Sequence, residues 1–196
     1  MFTGIVEITG GLKKIEKKNG KVLFSIEADN FLKDTKIGDS ISCDGVCLTV
    51  IKKSKNTFAV ELMPETLKLT RFTDIKEGAL INLEKAMKFN GRIDGHFVMG
   101  HVDGVGRIGK IIKEGKYTNL VIKVPVKLIK YAPYKGSIGI NGVSLTIAES
   151  GKNWVKVCLI THTLEITNFL ELKEGDLVNL EIDMIARYLE QLIKKK

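Results

Sequence analysis

Apolar and β-branched residues recur along the first half of the chain in short runs, at 2–8, 21–27, 40–43, 47–53, 57–63 and 80–86, separated by Gly, Asn and Asp. Runs this short, with polar breaks between them, predict strands. Six of them in less than half the chain fit a small closed antiparallel barrel better than an open sheet. Asp44-Gly45 lies between two runs and favours the positive φ angles of a two-residue hairpin turn. Beyond that turn, alternation puts Cys47, Thr49 and Ile51 on one face of a strand and Leu48 and Val50 on the other.

The second half repeats this plan. Adding 97 to each number carries Ser40–Glu84 onto Ser137–Glu181 without insertion, and close to half of the positions are identical, among them Gly45, Leu48, Thr49, Thr66, Leu67, Thr70, Phe72 and Asn82 to Glu84. One pair of copies this long does not make a solenoid, so each copy should be a domain with its own core. The same offset sets Asn141-Gly142 on Asp44-Gly45, Ser144 on Cys47, His162 on Glu65 and His101 on Gly4. Pro64–Lys68 and Thr161–Glu165 each follow a strand and read as a helical turn or tight loop at a barrel mouth, a common place for function. The polar, Gly-rich stretch Asn90–Gly95 marks a boundary, giving barrels over 1–97 and 98–185.

From Asp183 to Lys196 the period becomes helical. Met184, Ile185, Tyr188, Leu189, Leu192 and Ile193 form an apolar stripe, Asp183 stands at the N-cap, and Lys194 to Lys196 complement the negative end. Copy one has no counterpart, so residues 186–196 are an appendage whose stripe must pack on something, which points to self-association.

Composition narrows the function. With 44% apolar residues, 196 residues can fill two small cores. The net charge of +8 is spread over both copies, few of the basic residues are Arg, and no basic stripe is interleaved with aromatics. Nucleic-acid binding is therefore disfavoured, although a barrel that binds single strands stands as an alternative. Cys43, Cys47 and Cys158 are odd in number and unevenly placed, as expected of free thiols in a reducing compartment. The spacings of Cys43, Cys47, His96 and His101 do not match finger or ribbon metal sites, and neither a metal nor a diffusible cofactor is expected. Met1 to Val6 lacks a basic leader, and no apolar run approaches the ~18 residues of a membrane span, so we expect a cytoplasmic chain with no membrane partner.

Four pieces, Met1-Phe2-Thr3-Gly4-Ile5-Val6, Gly45-Val46-Cys47-Leu48-Thr49-Val50, Gly95 to Gly104, and Asn141-Gly142-Val143-Ser144-Leu145-Thr146, together resemble riboflavin synthase. The resemblance spans essentially the whole chain. It implies an all-β fold of two tandem six-stranded antiparallel Greek-key barrels with a C-terminal α-helix at the axis of a homotrimer, and it brings lumazine synthase into view as a partner. It further implies a transferase that takes two molecules of 6,7-dimethyl-8-ribityllumazine, moves a four-carbon unit from one to the other, and releases riboflavin and 5-amino-6-ribitylaminopyrimidinedione.

On residue type alone Cys47 is a small buried hydrophobe. Its polar strand face and its match to the family's active-site cysteine make it the candidate for adding a nucleophile to the ring carbon beside the ribityl-bearing nitrogen. Either the thiolate or a water that it positions could do this. His101 matches an active-site position too, where a neutral imidazole can take a proton from the acidic methyl of the other lumazine; His96, five residues away, reads as a satisfied core histidine. Ser40 and Asp183 also match catalytic positions, against ordinary readings as a strand serine and a helix cap worth ~1 kcal/mol. Phe2 is a core residue by pattern and a ring-stacking residue at the site opening by resemblance.

The resemblance groups Gly4, Ile5, Val6, Cys47, Leu48, Thr49, Glu61, Leu62, Met63, Pro64, Glu65 and Thr66 as a first lumazine pocket. It groups Gly100, His101, Val102, Lys135, Ser144, Leu145, Thr146, Cys158, Leu159, Ile160, Thr161, His162 and Thr163 as a second. Two like pockets with unequal chemistry suit a reaction between two identical molecules. Copy two departs from the family at Thr161-His162, where Pro-Glu is usual, and at Met99, where a small polar residue is usual. A non-catalytic lumazine- or flavin-binding protein of the same fold is the alternative; such binders degrade the reactive positions, whereas Cys47, Ser40, His101 and Asp183 are all present.

Overall fold

A computed structural model describes residues 1–18 and 20–193. Its strands close into two antiparallel barrels. The first is built from β1 (Ile8–Lys18), β2 (Lys21–Glu27), β3 (Ser40–Cys43), β4 (Val46–Lys53), β5 (Thr57–Leu62) and β6 (Leu80–Lys85), ordered β1-β2-β5-β4-β3-β6. The second is built from β7 (Gly104–Glu114), β8 (Tyr117–Lys123), β9 (Ser137–Ile140), β10 (Val143–Ser150), β11 (Trp154–Leu159) and β12 (Leu177–Ile182), in the same cyclic order. Short helices α1 (Pro64–Leu69) and α3 (Thr161–Ile166) follow β5 and β11, α2 (Val126–Ile129) precedes β9, and α4 (Met184–Ile193) ends the described chain. The lysines assigned to the end of that helix, Lys194 to Lys196, lie outside the described residues.

The turns follow the sequence. Asp44 and Gly45 take φ of 45° and 79°, and Asn141 and Gly142 take 44° and 77°, the paired positive values of a tight hairpin. Alternation in β4 holds as well: Leu48 and Val50 enter the core while Cys47, Thr49 and Ile51 face outward. Each barrel has its own core, one including Leu12, Phe24, Ile41, Val60 and Leu83, the other Ile108, Leu120, Ile140, Val157 and Leu180.

Two expectations need correction. The run 2–8 is not the first strand; β1 begins at Ile8, because Gly4 at φ +76° turns the chain, and before it Phe2 makes only a single bridge, to Val98. The offset of 97 also does not reach the start of each copy. β1 and β2 match β7 and β8 at an offset of 96, because the stretch 124–136 before β9 is one residue longer than 28–39 before β3. Gly4 therefore corresponds to Gly100, and Ile5 to His101.

A buried polar seam joins the barrels. One oxygen of Asp44 accepts from the Asn82 amide at 2.8 Å and from Asn168 Nδ2 at 2.9 Å, and the other accepts from Arg71 Nε at 2.8 Å. Asn82 Nδ2 donates to the Asn141 carbonyl, and Asn179 Nδ2 to the Asp44 carbonyl, each at 2.9 Å. Burial pushes the Asp44 carboxyl up, and Arg71 is the strongest influence opposing it. Polar groups enclosed this way are costly unless paired, so the seam fixes one docking geometry between the barrels.

Candidate active site

Before each barrel begins, its leading segment crosses to the other barrel. Phe2 and Val98 exchange backbone hydrogen bonds, Phe2 N to Val98 O at 2.7 Å and Val98 N to Phe2 O at 3.1 Å. Past this bridge, the Gly4 carbonyl accepts from the Ser144 amide at 2.8 Å, and the Gly100 carbonyl accepts from the Cys47 amide at 2.9 Å. Both glycines are required twice over. Their φ angles are +76° and +78°, and a Cβ would stand 2.6 Å from that of Ser144 or 2.5 Å from that of Cys47.

Carboxylates hold the crossing segments. Glu84 accepts from Thr3 N at 2.7 Å, Thr3 Oγ1 at 2.8 Å and Gly4 N at 3.0 Å. Glu181 accepts from Met99 N at 2.6 Å, Gly100 N at 3.0 Å and His101 N at 3.1 Å. Burial pushes both carboxyls up, Glu181 to about 7, although these donors pull the other way.

This crossing regroups the residues that the resemblance assigned to two pockets. Gly100, His101 and Val102 lie against β4, with Cys47, and Val102 packs on the first core; Gly4, Ile5 and Val6 lie against β10, with Ser144, and Val6 is buried in the second core. The leading residues have changed places relative to the expected grouping. A repeat alignment shows which residues correspond and is silent on which barrel each one touches.

Cys47 is half-buried and Thr49 exposed on the outer wall of the first barrel, and His101, which follows Gly100 on the segment bonded to Cys47, is exposed. Ser40 pairs with Thr49 across β3 and β4 and lines a recess of about 220 Å³ with Thr35, Asp39 and Lys85. Leu48, Leu62, Leu145 and Leu159 point into the cores, so only their backbone can meet a ligand. Glu61 is paired with Lys21, while Met63, Pro64 and Glu65 are exposed and Thr66 is half-buried on α1. In copy two, Ser144 is half-buried and Thr146, Cys158, Ile160, Thr161 and His162 are exposed. Thr163 is half-buried. Thr161 borders a recess of about 400 Å³ with Ile111, Leu164 and Phe169. Lys135 is exposed in the loop before β9, its Nζ 5.5 Å from the centre of the Tyr134 ring. A groove of about 540 Å³ between the barrels, along Lys68, Thr73, Arg107 and Lys123, contains none of the expected residues.

Two aromatic side chains differ from expectation. Phe2 is 0% exposed and so offers no free ring face for stacking; the hydrophobic pattern alone described it better. His96 is only half satisfied. Its Nδ1 is 2.7 Å from Ser144 Oγ, and its enclosed Nε2 has no partner. Burial pulls the His96 pKa down, and nearby Asp183 opposes this. The contact comes from a stretch outside any strand, where only Val98 makes a β-bridge, so no local pattern announces it. Asp183 also caps α4, accepting from Ile185 N at 2.9 Å.

The chain thus gathers Cys47, Thr49, Gly100 and His101 in one cluster, and Ser144, His96, Asp183 and Gly4 in another. Of the three free thiols, Cys43 is buried, which pushes its pKa well up, Cys47 is partly accessible and Cys158 is exposed. Among the described residues no three His, Cys, Asp or Glu side chains form a metal-holding group, and no helix is long and apolar enough to cross a membrane.

Comparison with known proteins fits this duplicated architecture. The lumazine binding domain family matches the chain twice, over residues 3–86 and 99–183. The chain is 42% identical over 196 residues to riboflavin synthase from Actinobacillus pleuropneumoniae, covering 100% of this chain and 91% of that one. It is 44% identical over 195 residues to riboflavin synthase from Photobacterium leiognathi, covering 99% and 89%. Among solved structures, LumP complexed with riboflavin superposes with a TM-score of 0.86 at 29% identity, covering 93% of this chain and 99% of that one. LumP complexed with 6,7-dimethyl-8-(1'-D-ribityl) lumazine gives 0.84 at 27% identity, with the same coverage.

Proposed function

The chain belongs to the riboflavin synthase family, and from that premise we propose how its two clusters divide the reaction. The family's reaction joins two molecules of 6,7-dimethyl-8-ribityllumazine and transfers four carbons between them. The observation that carries the proposal is the reciprocal crossing, which builds two like sites with unequal side chains: Cys47 beneath Gly100 in one, Ser144 beneath Gly4 in the other. LumP, of the same architecture, binds riboflavin and the dimethylribityllumazine, which supports this ligand class here.

At the first cluster, the Cys47 thiolate, or a water that it positions, adds to the ring carbon next to the ribityl-bearing nitrogen and activates one lumazine as acceptor. His101 takes a proton from the methyl of the other, and the resulting carbanion is delocalised into its ring. Ser40 and Asp183 complete the catalytic set. Asp183 belongs to the Ser144 cluster, so the set is divided between the two barrels. The exposed residues of α1 and α3 line the approach to the two sites.

The exposed face of α4 supports a subunit arrangement. Ile185, Tyr188, Leu189, Leu192 and Ile193 are each more than half exposed on this one short helix. Apolar area of that extent on one helix favours burial against copies of itself. We assign residues 186–196 to a homotrimer contact and 1–97 and 98–185 to the two lumazine-binding units, with the Cys47 cluster of one subunit meeting the Ser144 cluster of its neighbour. Incubation with dimethylribityllumazine should yield riboflavin and the pyrimidinedione in equal amounts. A non-catalytic binder would hold the ligand and release neither.

A further inference from the structure

Glu181 belongs to a strand of the second barrel and is 3% exposed, yet its carboxylate receives the amides of three consecutive residues, Met99, Gly100 and His101. The carbonyl of the middle residue accepts from Cys47. A continuous path of hydrogen bonds therefore runs from β12 of one barrel to the reactive strand of the other. Glu84 repeats it: it holds Thr3 and Gly4, and the Gly4 carbonyl accepts from Ser144. A carboxylate accepts through both oxygens, so it can fix successive amides at once; glutamine has one acceptor and would aim an N–H at donors. A buried carboxylate is costly to desolvate, and a merely structural link could have been made with neutral groups.

We propose that Glu181 is a positioning residue for Cys47 and His101, and Glu84 its counterpart for Ser144, each carboxylate seating the leading segment of its own copy on the reactive strand of the other barrel. The proposal rests on the reading of Cys47 and His101 as active-site residues. Seating requires the ionised carboxylate. Facing Glu181 are the amides of the crossing segment, that of His101 among them, and Asp103, which disfavours the charge. Asp103 is itself held by the Ile182 amide at 2.9 Å and by Arg187 of α4 at 2.8 Å. Cys47 approaches from the first barrel through Gly100.

The test uses full-length Glu181→Gln, Glu84→Gln and Cys47→Ser beside wild type. Turnover, KM, riboflavin affinity, melting and the alkylation rate of Cys47 by iodoacetamide are measured, with exposed Cys158 as internal reference. We expect Glu181→Gln to lower kcat about tenfold or more with little change in KM, since misplacement on the scale of 1 Å can cost a hundredfold. Its Cys47 alkylation should change relative to Cys158, and the rise of kcat with pH near neutrality should flatten. Glu84→Gln should lower kcat while leaving Cys47 alkylation alone. A folded Glu181→Gln with wild-type kcat and alkylation would overturn the proposal while Cys47→Ser is impaired; full activity in Cys47→Ser would remove the reading beneath it. Should Glu181→Gln fail to fold, Glu181→Asp holds its carboxylate one methylene short of the three amides, so kcat should fall and Cys47 alkylation should shift with it; unchanged Cys47 alkylation relative to Cys158, whatever the kcat, would overturn the proposal.

Discussion

The amide of Cys47 donates to the carbonyl of Gly100 at 2.9 Å, and a Cβ on Gly100 would lie 2.5 Å from that of Cys47. The candidate nucleophile of one barrel is thus seated by a glycine that belongs to the other copy. That contact excludes any side chain at residue 100.

Gly100→Ala should therefore destabilise the chain by about 1–3 kcal/mol, the cost of holding a non-glycine residue at an unfavourable positive φ. The new methyl also pushes on Cys47, so turnover should fall further than melting does. Wild-type turnover in this variant would mean that the crossing segment is not part of the site. Gly11→Ala, where a Cβ meets nothing within 4 Å, is the control.

Glu181 sets a sign for the pH dependence of stability. Its carboxyl titrates near 7 in the fold against 4.5 ordinarily, so between these values the folded chain binds the proton that the unfolded chain has lost. Stability from this group is full below 4.5 and is lost as pH rises through 7. Glu84 is shifted in the same direction. Melting temperatures across that window should fall less steeply in Glu181→Gln than in wild type; equal slopes would place the titration elsewhere. Turnover should move oppositely, because seating the segment requires the charge.

Cys47→Ser should lower turnover on the order of a hundredfold, the scale on which a positioned reactive group acts, and change ligand affinity much less. Unchanged turnover would return Cys47 to the class of partly buried strand residues. Paired kcat and fluorescence titrations separate the two.

Deleting residues 186–196 should leave folded barrels with little activity. The deletion breaks the Arg187–Asp103 pair and the contacts of Glu190 with Lys130 and Tyr131, all at the barrel surface, and removes most of the exposed stripe without opening either core. Sedimentation should show a smaller species; a fully active monomer would rule out a site shared between subunits.

The isolated first copy, residues 1–97, contains β1 to β6 but loses the Gly100 carbonyl that caps Cys47. We expect it to bind lumazine or riboflavin and to pair with itself, the Gly4 segment of each copy crossing to the β4 of the other. Without His101 and Asp183 it should not turn over. Near-native turnover would show that unlike partners are unnecessary.

Much of this was legible in the chain. Hairpin turns at Asp44-Gly45 and Asn141-Gly142, the outward face of Cys47 and Thr49 and the cap at Asp183 follow from local rules, since alternation, positive φ and capping depend on residues a few positions apart, and the duplication is read directly from the identities between the two halves. The resemblance and the whole-chain relatives agree on the family because a gapless repeat with four motifs in order is hard to produce otherwise.

The exchange of leading segments was not legible. The sequence determined which residues are equivalent, but packing decided which barrel each one serves. Val6 fills the second core and Val102 packs against the first, Phe2 is enclosed where stacking was expected, and His96 reaches Ser144 from a stretch that is not a strand. Nothing in a repeat's periodicity distinguishes a segment that seats on its own barrel from one that seats on its twin, because both placements bury the same residues and pair the same amides. The choice lies in long-range contacts, the Asp44 seam and the Glu84 and Glu181 carboxylates, whose partners stand dozens of residues away and are fixed only once both barrels have closed and docked.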